Sequence, residues 1–123
     1  MKWTLDKSRP ICPQICEELC VAIASGEFGA GERLPSVREI AFLASVNPNT
    51  VQKSFEELER KGMIHSVRCS GWYVGDDVRI AAETVAELRR TKTEEFFAAM
   101  AQLGFGREET VKYLSDFYGG KYE

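Results

Sequence analysis

A chain of 123 residues is long enough for one ordinary domain, or for a small domain with a short appendage, and we expect no separate ligand-binding domain of usual size. Its composition, 44% hydrophobic and 28% charged, excludes a disordered tail and is typical of a globular protein with a core. The formal net charge of −3 arises in residues 76–123, whereas residues 1–75 hold nine basic and nine acidic residues and so do not exclude a polyanionic partner.

The first predicted element is a helix that runs from Pro10 or Pro13 to Ala24. Its apolar residues recur every four positions and therefore share one face, which we expect to be buried. Gly26 ends the helix, and a glycine-rich loop follows. The residues of the apolar face are Ile15, Leu19 and Ile23.

A capping box between Ser36 and Glu39 predicts the start of a second helix. In this motif the Ser hydroxyl accepts from the Glu amide, and the Glu carboxylate accepts from the Ser amide. The helix should stop near Val46, because Pro48 disfavours helical geometry at the residue before it. Its expected buried residues are Ile40, Leu43 and Ala44.

A third helix should follow almost at once, with Asn47 as its N-cap and Pro48 as its first residue. It should run to Lys61, where Gly62 can close it. Two helices joined by so short a turn form a helix-turn-helix. The face of the third helix that packs on the first two consists of Val51, Phe55 and Leu58.

The other face of the third helix is suited to nucleic acid. Near its start it carries hydrogen-bonding side chains and one cation: Asn49, Thr50, Gln52 and Lys53. We expect free backbone amides there, and together with the positive end of the helix dipole they would attract phosphates. Further cations that can contact phosphates are Arg38, Arg60, Lys61 and Arg68.

Two β-prone runs follow, Met63–Val67 and Trp72–Gly75, and the Gly-containing segment between them predicts a hairpin, or wing. A long helix should then begin after Asp77 and continue to about Leu103. A last helix should run from residue 107 to about residue 117 and bury Val111 and Leu114.

The predicted fold is therefore mostly α with a small β-hairpin. Residues 1–75 form a winged helix-turn-helix, and residues 76–123 form a C-terminal two-helix dimerisation segment. Dimerisation is expected because apolar side chains on the long helix and after it would otherwise be exposed, namely Phe96, Phe97, Met100 and Phe105. A two-fold homodimer would place its recognition helices about 34 Å apart, which fits a palindromic site on double-stranded DNA.

No part of the sequence predicts a membrane association. The longest apolar run, Phe96–Ala101, is far shorter than the roughly 20 residues of a membrane span. The first residues, Met1–Asp6, lack the apolar core of a signal peptide. We therefore expect a cytoplasmic protein.

The segment Leu34–Ala41, Leu-Pro-Ser-Val-Arg-Glu-Ile-Ala, closely resembles the signature of the GntR family of bacterial transcriptional regulators. The segment Val46–Val51 and the short helical tail resemble its YtrA subfamily. The resemblance is strong over residues 10–75. It implies a winged helix-turn-helix that binds an operator, acting as a repressor, with an operon for a transport system as the target class.

The resemblance also implies roles for individual residues. Ser36 and Arg38 belong to the signature, and Arg38 matches a family residue that contacts DNA through its forked guanidinium. Asn49, Thr50 and Gln52 match the base-reading start of the recognition helix, where amides pair with adenine and the Thr methyl contacts thymine. Lys53 suits a phosphate. Arg68 and Gly71 match the tip of the wing, which in the family approaches the minor groove.

Three positions depart from the family pattern. Pro48 and Gln52 stand where many members carry Arg, so the operator sequence cannot be transferred from relatives. Cys69 stands where the wing usually has Gly, which puts the wing's backbone conformation in question, because only Gly adopts positive φ freely. The sequence identifies no small-molecule effector.

We expect no enzymatic activity, cofactor or metal, because the chain has one His and no paired catalytic residues. One alternative is a winged helix that binds protein instead of DNA, although an interface would favour aromatic or aliphatic anchors over the polar start of the third helix. Another is a thiol or metal sensor, although small buried Cys residues usually serve packing. Its ligands would be Cys12, Cys16, Cys20 and Cys69.

Overall fold

The computed structural model describes residue 1 and residues 3–120. The predicted fold class, mostly helical with a small antiparallel hairpin, is confirmed. Residues 1–85 form one compact unit and a second unit begins at Ala86, within the long helix. The elements in chain order are α1 Ile11–Ala24, α2 Val37–Ala44, α3 Pro48–Arg60, β1 Ile64–Val67, β2 Gly71–Val74, α4 Arg79–Gln102 and α5 Arg107–Tyr118.

The core of the first unit lies between α1, α2, α3 and the hairpin. The apolar faces predicted for α1 and α3 are buried there, and both helices follow the spacing expected from the sequence. Phe55 contacts Trp72 of β2 edge to face, with 5.2 Å between ring centroids, so α3 and the hairpin are packed together. The side chains with no exposed surface include Ile15, Leu19, Ile40, Val51, Phe55 and Leu58.

The capping box of α2 is present: Glu39 N donates to Ser36 Oγ at 3.1 Å, and Ser36 N donates to Glu39 Oε1 at 3.4 Å. The expectation that Leu43 is buried was wrong, since 59% of it is exposed and Ala41 is buried instead. Residues advance by about 100° around a helix. Ala41 and Leu43 therefore lie at equal angles on opposite sides of the direction shared by Ile40 and Ala44, and the rest of the unit packs against the side of Ala41.

The turn between α2 and α3 is held from two sides. Ser45 closes α2 in the left-handed conformation, with φ 55°. Lys7 Nζ donates to the carbonyl oxygens of Ala44 and Ser45 at 3.0 and 2.9 Å, so a cation satisfies the acceptors at the end of α2. Asn47 caps α3 as predicted, accepting from Asn49 N at 2.8 Å.

The wing is wider than the predicted hairpin. In the hairpin itself Ile64 pairs with Val74 and Val67 pairs with Gly71. The segment before α2 extends this sheet, because Leu34 N donates to Trp72 O at 2.8 Å and Val74 N donates to Glu32 O at 2.9 Å. The central residue of that segment, Arg33, forms an antiparallel bridge with Tyr73.

The second unit contains α4 from Ala86 onward and all of α5. Tyr113 packs against Phe105 with 5.6 Å between ring centroids, and Leu114 is half-buried. The expectation that Val111 is buried was wrong, because 56% of it is exposed. None of the described helices combines the length and the apolar character that crossing a membrane requires.

Candidate nucleic-acid interface

The start of α3 presents a polar surface. Asn49, Gln52 and Lys53 are exposed, and Thr50 is half-buried. The expectation of free amides was wrong: Pro48 has no N–H, Asn49 N is capped by Asn47, and Thr50 N donates to Asn47 O at 3.0 Å. The groups that this end offers to a ligand are therefore its side chains and the helix dipole.

The middle of α3 is bonded to α1 through Ser54, which has no exposed surface. Its hydroxyl donates to Thr50 O at 2.9 Å and also lies 3.3 Å from Cys12 O and from Cys12 Sγ. Cys16 Sγ lies 3.6 Å from Ser54 O. Together with the contact between Phe55 and the wing, these bonds give the polar start of α3 a defined direction relative to its own unit.

Several cations of the first unit are already engaged with acceptors. Lys7 caps α2, and Arg9 pairs with Asp6 at 3.0 Å. Arg60 and Lys61 both pair with Glu57, and the hydrogen bond from Arg60 holds the pKa of that carboxyl below its usual range. Arg60 and Lys61 are thus less available to phosphates than the sequence indicated.

Four other cations of the first unit make neither an ion pair nor a side-chain hydrogen bond to any described residue, and all four are exposed. Three of them, Arg38, Lys53 and Arg68, were predicted from the sequence to contact DNA. The fourth, Arg33, was missed, because its position beside the wing results from pairing between segments that are distant in the chain.

The wing loop lies between Val67 and Gly71. Arg68 and Cys69 are exposed in it, and Cys69 has φ 63°, a conformation that costs a residue with a side chain about 1–2 kcal/mol. The Ser70 hydroxyl bonds to the Tyr73 hydroxyl. Gly71 is half-buried with φ 138°. The departure noted in the sequence thus corresponds to real backbone strain at the wing tip.

The predicted site residues fall on three elements of the first unit. Ser36 is exposed at the start of α2, but its hydroxyl is occupied by the capping box, and Arg38 projects from the first turn of that helix. The four residues of α3 lie within its first two turns, and Arg68 and Gly71 flank the wing loop.

The cysteines of α1 are packed in the protein. Burial raises the pKa of Cys16 to about 12 and that of Cys20 to about 11, which disfavours the thiolate that metal binding and redox chemistry need. Cys20 Sγ lies 3.4 Å from Met63 Sδ, and Cys69 is on the wing. No group of three potential metal ligands occurs in the described part of the chain.

A helix-turn-helix with a wing, a polar helix start and exposed cations without acidic partners defines the class of winged helix-turn-helix DNA-binding proteins. Residues 13–74 match the model of the bacterial regulatory proteins of the gntR family. The chain belongs to the GntR family, and it is a transcriptional regulator with a DNA-binding domain.

Relatives and a solved structure agree with this assignment. The chain is 34% identical over 113 residues to the uncharacterized HTH-type transcriptional regulator YhcF of Bacillus subtilis, covering 92% of this chain and 93% of that protein. It is 39% identical over 88 residues to the HTH-type transcriptional repressor YtrA of Bacillus subtilis, covering 72% and 65%. A GntR family transcriptional regulator from Listeria monocytogenes has a TM-score of 0.79 and 34% identity, covering 91% and 98%.

These similarities confirm the resemblance to the GntR family and to YtrA that the signature segments indicated. They also confirm the expectation that the protein is not an enzyme, because the proteins it resembles are transcriptional regulators.

Proposed function

We propose that the protein is a homodimeric repressor that binds a palindromic operator, with the start of α3 in the major groove and the wing beside it. The observation that carries this proposal is the polar surface of Asn49, Gln52 and Lys53, which is exposed although α3 itself is firmly packed. Amide side chains on a fixed helix end can make paired hydrogen bonds to base edges. A protein-binding surface would instead be expected to carry aromatic or aliphatic anchors.

The residues expected to touch DNA have separate tasks in this proposal. Asn49, Thr50 and Gln52 contact bases, while Lys53 and Arg38 contact phosphates on either side of them. The wing contributes Arg68 and Gly71, near the minor groove. Ser36 contributes indirectly: its capping bonds hold the first turn of α2, from which Arg38 projects.

The second unit supports a homodimer. It exposes apolar side chains on α5 and at the end of α4, and covering them in a second copy would release water from that surface. Two-fold symmetry would then repeat the recognition helix about 34 Å away, which matches successive major grooves. Of the four residues predicted to be exposed in a monomer, only Phe96 is exposed, whereas Phe97, Met100 and Phe105 are half-buried. The other exposed apolar residues of this unit are Leu103, Val111, Phe117 and Tyr118.

Repression is supported by the relative YtrA, whose name identifies it as a transcriptional repressor. The resemblance to the YtrA subfamily favours an operon for a membrane transport system as the target. Because its target is DNA, we place the protein in the bacterial cytoplasm.

Sedimentation of the protein with fluorescent duplex DNA tests this function. We expect the free protein to be a dimer at micromolar concentration and each duplex to bind two chains, with an affinity that falls as salt rises. A monomer that binds no duplex even at low salt would refute the proposal.

A further inference from the structure

Arg33 is held at the edge of the wing by backbone pairing. Its antiparallel bridge to Tyr73 is flanked on both sides, because Glu32 and Leu34 bond to β2. The backbone of Arg33 is therefore fixed to the hairpin. A side chain anchored in this way can be aimed at a ligand of the wing.

The guanidinium of Arg33 lies against the backbone of Gly71, next to the wing loop. A Cβ on Gly71 would lie 3.1 Å from Arg33 Nε and 3.3 Å from Arg33 Nη2. The φ of 138° at Gly71 is also one that residues with side chains rarely adopt. A Cβ at this position would therefore force the guanidinium to shift by a few tenths of an ångström.

Arg33 also has the electrostatic character of a phosphate ligand. It is exposed, and no described acidic residue forms an ion pair with it, in contrast to Arg9 and Arg60 of the same unit. Arg68 occupies the adjoining wing loop and is likewise without an ion pair among the described residues. The loop end of the wing therefore carries two available guanidinium groups.

We propose that Arg33 binds a backbone phosphate of duplex DNA beside the wing, and that Gly71 acts as its positioning residue. A guanidinium presents paired N–H donors in a planar fork, which matches two phosphate oxygens. The contact would carry no sequence information and would set the register of the wing on the duplex. This inference rests on the proposed DNA-binding function.

The test measures binding of a random-sequence duplex by fluorescence anisotropy over a range of salt concentrations. The logarithm of the binding constant falls linearly with the logarithm of the salt concentration. Each lost phosphate contact makes this slope less steep by about 0.9, which corresponds to about an eightfold loss of affinity at 0.1 M salt. We expect Arg33→Gln to show this change. The matched control Arg9→Gln, an exposed Arg of the same unit that pairs with Asp6 and is not among the predicted DNA contacts, should bind as the wild type does.

Two further variants separate charge from placement. Arg33→Lys should keep the wild-type slope while losing affinity, because the charge remains and the fork does not. Gly71→Ala should weaken binding more in the wild-type background than in the Arg33→Gln background, because the part of its loss that comes from displacing the guanidinium is absent once Arg33 is replaced. Thermal unfolding of each variant shows whether it is folded.

The outcomes are distinguishable. If folded Arg33→Gln protein has the same salt slope and affinity as Arg9→Gln, Arg33 makes no phosphate contact and the proposal is overturned. Fully additive losses from Arg33→Gln and Gly71→Ala would overturn the positioning role of Gly71. Wild-type protein that binds no duplex at any salt concentration would instead refute the proposed function itself.

Discussion

Gln52 and Lys53 are neighbours at the start of α3, yet their removal should have different effects on DNA binding. Gln52→Ala should relax the preference at one base position by about 1–3 kcal/mol, because an amide pairs with a particular base edge. Lys53→Ala should weaken binding to all sequences and lower the salt slope by about 1, because it contacts phosphate. Anisotropy with a preferred duplex, its point variants and random DNA measures both. Equal losses on all of them for Gln52→Ala would remove that residue from base recognition.

Cys69 is a second residue with a specific prediction. Its φ of 63° strains a residue with a side chain, so Cys69→Gly should relieve strain and raise the free energy of unfolding by up to about 1 kcal/mol, after the entropy cost of Gly. Cys69→Ala keeps a Cβ and is the matched control, with little change expected. Urea unfolding measures both variants. Equal stability of the Gly and Ala variants would show that the loop carries no such strain.

At the residue scale, the sequence predicted contacts that are local in the chain. The capping box of Ser36 and the N-cap at Asn47 depend on residues two or three positions away, and both are present. Burial depends on which distant segments pack against a residue, so the predictions that Leu43 and Val111 are buried were wrong. Arg33 was missed for the same reason, since its position results from pairing with a strand about 40 residues later in the chain. The DNA-contact roles themselves remain predictions.

At the scale of single elements, the stability of α3 should depend on its first cap. Asn47 accepts from Asn49 N, so Asn47→Ala should lower the free energy of unfolding by about 0.5–2 kcal/mol. Asn47→Asp retains the acceptor and suits the positive helix end, so its stability should match the wild type. Chemical denaturation compares the two. An Ala variant as stable as the Asp variant would contradict the role of this cap.

The elements were predicted well because their boundaries are marked by short-range signals. Proline, glycine and capping residues mark the ends of α2 and α3, and apolar residues spaced three or four positions apart mark α1 and α3. The wing was only partly predicted. Its third segment, residues 31–34, has no alternating pattern of its own and becomes part of the sheet through bonds to β2.

At the scale of the whole molecule, dimerisation should depend on the second unit. Leu103 is 78% exposed at the end of α4, and Leu103→Glu should place a charge in the proposed dimer interface and produce a monomer with weakened DNA binding. Phe42 is 84% exposed on α2 in the first unit, so Phe42→Glu is a matched control that should remain dimeric. Sedimentation equilibrium distinguishes them. If both variants remain dimeric, the dimer interface does not include the surface around Leu103.

The most direct test of DNA recognition is selection of bound duplexes from a random pool, followed by sequencing and footprinting. We predict an inverted repeat whose half-sites are centred about 10 base pairs apart, or a multiple of that spacing, with both protected by one dimer. The preference at one position of each half-site should disappear with Gln52→Ala. A bound pool with no enriched sequence, or enrichment that survives replacement of Asn49, Thr50 and Gln52 by Ala, would contradict recognition by the start of α3.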